Sequence, residues 1–206
     1  MRQVDTYKIK IKGWSKIHWA SNEKKKAGVA IFISDKAKAK IDLVKRDKEG
    51  KYILIKGSIN NEEIAILNMY APNGKASQFL KEKLVELKEE IDNKTILVGD
   101  LNLPLSDLHK SNQKINKKEI REVNGILEKL ELIAIWRKLN RDKKEYPFFS
   151  AAHGTFTKID HVLLHRNMAN KCKKVEMINA YLSDHNAIKI VIRRIHGEPS
   201  QKLIGI

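Results

Sequence analysis

The sequence predicts an α/β protein in which two sheets lie against each other with helices outside. Three observations carry this. Segments with strand patterning outnumber those with helical patterning, and the helical segments fall between groups of strands. Ile96-Leu97-Val98 is a short unbroken apolar run, as in a strand buried on both faces. That run stops at Gly99-Asp100-Leu101-Asn102. A carboxylate and an amide at the end of a buried strand are costly to desolvate unless they have partners or work. Strand ends that project loops are also where reacting groups usually sit. A lone G-D-x-N reads equally well as a strand followed by an Asp/Asn turn, so other stretches must decide.

Taken in order, Asp5 to Trp19 alternates lysine with isoleucine through Lys8-Ile9-Lys10-Ile11-Lys12, the pattern of a half-exposed strand. Glu23-Lys24-Lys25-Lys26 reads as a solvated turn, and Gly28 to Ser34 as a buried strand. Lys45 to Gly50 is a charged turn. Tyr52 to Ile59 and Ile64 to Tyr70 form a hairpin looped by Asn60-Asn61-Glu62-Glu63. Ala71-Pro72-Asn73-Gly74 ends the second strand. A helix is expected from Ser77, its N-cap, to Ile91, with Leu80, Leu84 and Leu87 at helical spacing. Asn116 to Glu119 has capping-box spacing, and Ile120, Val123, Leu127 and Leu130 mark one face of a second helix closed by Trp136. Arg137 to Glu145 is loop-like, and Pro147 argues against a central strand at Tyr146 to Phe149. Ile159 to Leu164, Val175 to Ile178 and Ala187 to Ile192 read as strands. Gly197 to Ile206 has no periodicity. One domain over residues 5–194 is expected, with a disordered tail at 195–206.

Composition narrows the partners. The 206 residues carry 41 basic against 25 acidic side chains, a formal charge of +16, with lysine spread along the whole chain. Such an excess suits a polyanion: nucleic acid, an anionic membrane or a phosphorylated ligand. No apolar run reaches the ~18 residues of a membrane span, and no apolar leader follows Met1. The single Cys172 excludes an internal disulfide framework and suits a reducing compartment. A nuclear or cytoplasmic protein, not a secreted one, is the expectation.

Acids and histidines gather at strand edges: Asp100 with Asn102, Asp160 with His161, and Asp184 with His185, while Tyr70 and Asn73 end another strand. Phosphodiester hydrolysis needs these residue types. A hard cation takes carboxylate and carbonyl oxygens, neutralises phosphate charge and polarises the P–O bond. A base orients water, and an imidazole held by a second carboxylate stabilises developing charge. Singly, His185 would be a structural histidine, Asp160 a turn cap and Tyr70 a core-edge aromatic. No Cys/His spacing matches zinc, no G-x-S-x-G marks a serine hydrolase, and Cys172 has no indicated catalytic partner.

Together these stretches resemble the endonuclease/exonuclease/phosphatase superfamily, which includes DNase I, exonuclease III and the apurinic/apyrimidinic endonucleases. They are most similar to the endonuclease domains of mammalian long interspersed (LINE) retrotransposons. The resemblance is carried by Lys10-Ile11-Lys12-Gly13-Trp14, Lys26 to Ile31, Lys45 to Gly50 and Leu67-Asn68-Met69-Tyr70-Ala71-Pro72-Asn73. It continues through Gly99-Asp100-Leu101-Asn102, Pro104-Leu105-Ser106, Phe148 to Ala151, Lys158-Ile159-Asp160-His161 and Tyr181-Leu182-Ser183-Asp184-His185. It implies a four-layer α/β/β/α sandwich and Mg²⁺- or Mn²⁺-dependent nicking of DNA. By the resemblance, Asp100 activates water, Asn102 positions the phosphate and Tyr70 contacts it. His185 stabilises the transition state, Asp160 holds its imidazole, and Asp184 contributes to the metal site. Asn73 and Ser183 are implied as substrate contacts.

Three departures qualify the likeness. The family's opening strand-helix-strand, which bears an Asn and the principal metal-binding Glu, has no counterpart here, so weakened metal binding is expected. Pro147 stands where the family has Thr, and Leu101 where it has Phe. The alternatives are therefore a catalytically impaired, retrotransposon-derived remnant that only binds DNA or RNA through its lysines, and a repair nuclease like exonuclease III.

Overall fold

A computed structural model describes residues 11–22, 28–105, 116–139, 160–178 and 187–193, and the backbone of 148–150, 155–157 and 201–205. Its strands are β1 (Lys16–Ser21), β2 (Gly28–Ile33), β3 (Ala39–Arg46), β4 (Tyr52–Ile59), β5 (Glu62–Met69), β6 (Thr95–Asp100) and β7 (Leu132–Ala134). Further on come β8 (Phe148–Ser150), β9 (Thr155–Thr157), β10 (Asp160–His165), β11 (Cys172–Ile178), β12 (Ala187–Ile192) and β13 (Gln201–Gly205). The helices are α1 (Ala76–Glu86), α2 (Lys117–Lys129) and the short α3 (Ile135–Leu139) and α4 (Arg166–Ala169).

The central sheet has six strands in the order β3-β4-β5-β6-β10-β7. Its two faces differ in side-chain type, with Leu164 the exception on the first. Ile53, Ile55, Ile64, Ile66, Ile96 and Val162 point to one side, where they meet β2 through Val29 and Ile31 and β12 through Ile188 and Ile190. Leu54, Leu67, Leu97 and Leu163 point to the other, against Leu80 and Leu84 of α1 and Val123 and Leu127 of α2. Alternation along a strand sends successive residues to opposite faces, so a run that is apolar throughout can feed two cores. Three of the four expected layers, α/β/β, thus lie in the described residues. The second sheet layer consists of the β1-β2 pair and the β11-β12-β13 ribbon.

Much of the element reading holds. Asn60 and Asn61 both have positive φ, 52° and 64°, and make a two-residue turn between β4 and β5, tighter than the expected four-residue loop. Asn116 caps α2 by accepting from the Lys118 N–H at 3.1 Å, and its side-chain amide donates to Glu119 at 3.0 Å. That is a variant of the capping box.

Several expectations are corrected. The first strand begins at Lys16; Ile11 and Lys12 precede it as a turn, and the lysine-isoleucine alternation before them lies outside the described residues. Ser77 does not cap α1. A turn in which the Lys75 N–H donates to the Pro72 carbonyl starts the helix at Ala76, and Ser77 is buried inside the first turn, its hydroxyl without a hydrogen-bond partner among the described residues. The helix stops at Glu86 and tightens into a 3₁₀ turn over Lys88–Glu90. The strand β3 was not foreseen. Residues 201–205, expected in a disordered tail, pair antiparallel with β12, Gln201 opposite Ile192 and Gly205 opposite Ile188. Backbone groups along a strand edge take such a partner whatever its side-chain periodicity.

Candidate active site

The site forms where β5 and β6 end and β10 begins. In the parallel pairing of β5 with β6, Asn68 stands level with Val98. Two residues on, the Ala71 N–H donates to the Asp100 carbonyl at 2.9 Å, which continues the ladder and sets Tyr70 level with Asp100. In the antiparallel pairing of β10 with β6, Asp160 is directly opposite Asp100. Tyr70, Asp100 and Asp160 therefore sit side by side on three adjacent strands. Their strand parity is that of Ile66, Val98 and Val162, so the row belongs to the face turned towards the second sheet layer. Tyr70 and Asp100 are half-buried, Asp160 is 5 % exposed, and Asn73 lies in the exposed turn just past the row.

Each carboxylate is constrained by the chain around it. The Asn102 backbone N–H donates to Asp100 Oδ1 at 3.0 Å, and its side-chain Nδ2 donates to Oδ2, also at 3.0 Å. The same Nδ2 reaches the Ala71 carbonyl at 2.9 Å. Asn102 achieves this from a left-handed backbone, φ 46°, which short polar side chains tolerate better than others. Gly99, at φ 130°, has no room for a side chain: a Cβ would collide with the Met69 carbonyl and lie 2.8 Å from Asn68 Oδ1. The glycine in this G-D-x-N is thus required by the close approach of β5.

The expected cluster of Asp160 with His161 is divided by the sheet. His161 faces the helices, 3 % exposed, with Nε2 2.9 Å from the Leu103 carbonyl. A carbonyl only accepts, so Nε2 carries the proton in this bond. With Asn124 Nδ2 donating to the Leu105 carbonyl at 2.9 Å, this imidazole fastens the segment of buried Leu101, Leu103 and Leu105 that follows Asp100. His161 is a supporting residue, not part of the row. Leu101, the family's Phe position by resemblance, fills the helix-side core at 1 % exposure.

Ser183, Asp184, His185 and Pro147 lie outside the described residues. Among those described, no three His, Cys, Asp or Glu side chains are grouped to hold a metal ion. The chemistry of the donor set nevertheless suits a hard cation: two aspartates, at one level of adjacent strands, offer the carboxylate oxygens such an ion takes. Several other acids pair with lysine. Glu90 meets Lys45 and Lys56, Glu122 meets Lys81, and Glu176 meets Lys174 and Lys189, whose hydrogen bonds hold its carboxyl at about 2. Sequence reading missed two contributors, Asn68 and the steric role of Gly99. The signal for Asn68 was an amide interrupting an apolar strand at the parity of Ile64 and Ile66.

Known proteins share this frame. A 3′-5′ exonuclease from Neisseria meningitidis superposes with a TM-score of 0.72 at 19% identity, covering 88% of this chain and 80% of that one. An AP endonuclease from Archaeoglobus fulgidus gives 0.72 at 21% identity, covering 93% and 83%. The endonuclease domain of TRAS1, a telomere-specific non-LTR retrotransposon, gives 0.65 at 18% identity, covering 88% and 81%. At these identities the likeness establishes the fold. The profile of the family described as endonuclease-reverse transcriptase matches residues 64–189, a span that begins in β5 and runs through β6, α2 and β10 into β12. The chain belongs to that family, and so to the endonuclease/exonuclease/phosphatase superfamily.

Proposed function

We propose that the chain is a metal-dependent endonuclease that nicks DNA, of the retrotransposon and apurinic/apyrimidinic endonuclease type. The observation that carries this is the row of Tyr70, Asp100 and Asp160 at one level of the central sheet, with Asn102 clamping Asp100. Mg²⁺ or Mn²⁺, held in part by Asp184, would supply charge neutralisation and polarisation of the scissile P–O bond. Asp100 takes the proton of the attacking water, its lone pairs aimed by the two Asn102 donors. Tyr70 offers its hydroxyl to the phosphate. Asp160 orients the His185 imidazole towards the developing charge. Asn73 and Ser183 contact the flanking backbone. The net charge of +16 favours DNA as the partner over a neutral substrate.

The test is conversion of supercoiled plasmid to open circles in Mg²⁺. Asp100→Ala should abolish it, lowering the rate about a thousandfold or more. Wild-type nicking that is unchanged by EDTA or by Asp100→Ala would defeat the reading. Duplex binding without any nicking would instead favour the remnant that only binds nucleic acid.

A further inference from the structure

The geometry points to Asn68 as the positioning residue that sets the height of this row against the second sheet layer. Asn68 occupies the Ile/Val face of β5, one step below Tyr70, and its row-mates there are Val98 and Val162. A β-branched apolar residue would suit that place; an amide half-buried there must find a partner. Its Nδ2 crosses to the second layer and donates to the Ala30 carbonyl of β2 at 3.0 Å. Its Oδ1 lies against Gly99, where a Cβ would come within 2.8 Å. One planar amide thus bonds β2 on one side and on the other fills the space a side chain at Gly99, the residue before Asp100, would need.

The other described side-chain hydrogen bonds from β1 and β2 to the central sheet lie at its outer edge. Lys16 Nζ donates to the Ala39 carbonyl at 3.1 Å, and Arg46 Nε to the Trp19 carbonyl at 2.9 Å, both between β1 and β3. Asn68 makes its link beneath the reacting row. Its loss frees β2 to shift over β5 and removes the stop that fixes Gly99, so the Asp100 carboxylate loses its setting without any residue of the row being touched.

The catalytic half of this inference rests on the nuclease reading; the positional half does not, and the experiment separates them. Asn68→Ala and the near-isosteric Asn68→Asp, which cannot donate to Ala30 when ionised, are compared with wild type. Amide hydrogen exchange is followed at Ala71 and Asp100, and at Leu84 and Leu127 as remote references. Protection at Ala71 and Asp100 should fall about tenfold relative to the references, and kcat for nicking should fall while KM for plasmid holds. Asn68→Asp serves if Asn68→Ala does not fold. Exchange that rises equally everywhere, or local protection and kcat both unchanged, overturns the proposal. A wild-type chain that does not nick defeats the nuclease reading, and the exchange comparison then decides the role of Asn68 by itself.

Discussion

At Asp100 the carboxylate plane is fixed by two donors from a single residue, and that residue is itself held in an unusual backbone state. Asn102→Ala removes the side-chain bonds and leaves a Cβ residue at positive φ. It should cost about 1–3 kcal/mol in urea unfolding and lower nicking about tenfold or more. Asn102→Gly separates the two effects: glycine accepts the backbone, so most of the stability returns while the activity does not. His161, beside Asp160, belongs to the helix-side core rather than the row. His161→Phe strands the buried Leu103 carbonyl and should cost about 1–3 kcal/mol, with far less effect on rate than Asp100→Ala. The residue types of the row were legible because carboxylates and amides at the ends of apolar strands are conspicuous. What separates Asp160 from His161 was not: adjacent strand residues face opposite ways, and only the register shows which face holds the site.

At the level of elements, β6 joins both cores and the site. Leu97→Ala opens a cavity between the sheet and α1, and should destabilise by about 2–5 kcal/mol with little change in the unfolding m-value. The β1-β2 ribbon carries a titration. Burial, and next the Arg46 charge, hold the His18 imidazole below its ordinary pKa. The unfolded chain therefore takes up this proton first as pH falls. The associated stability is full above about 6.5 and is lost as pH drops from there towards the folded value. His18→Gln should flatten that part of the profile, read as the difference between urea midpoints of variant and wild type from about pH 8 to 5. Periodicity found α2 and the β4-β5 hairpin because their apolar residues keep one spacing. It missed β3, an edge strand with Lys40 and Lys45 outward and a register irregularity between Ile41 and Leu43. Edge strands are disguised in this way because charge and bulges discourage pairing with another chain. It misplaced the start of α1 because a backbone turn, not a side chain, opens that helix.

Across the whole molecule, +16 of charge should make duplex binding steeply salt-dependent. For about four phosphate contacts, affinity should fall roughly a hundredfold between about 50 and about 200 mM salt; a flat response in filter binding or fluorescence anisotropy would count against backbone contact by lysines. The two-sheet architecture was legible from the order of strand and helix patterns. The concentration of Ile and Val on one face and of most Leu on the other was not anticipated, since an apolar run alone does not tell which neighbour each side chain meets. One feature of the central sheet also governs how the site comes into being. Among the described strands, β5 and β6 make the parallel pair, and the connection between them must pass over the sheet through α1. Tyr70 cannot meet Asp100 until that crossover has closed, and Asp160 arrives only after α2 and β7 have been made. Such distant partners assemble late. A chain made only as far as β6 would accordingly hold Tyr70 and Asp100 without Asp160, and the row would stand incomplete until β10 had paired with β6.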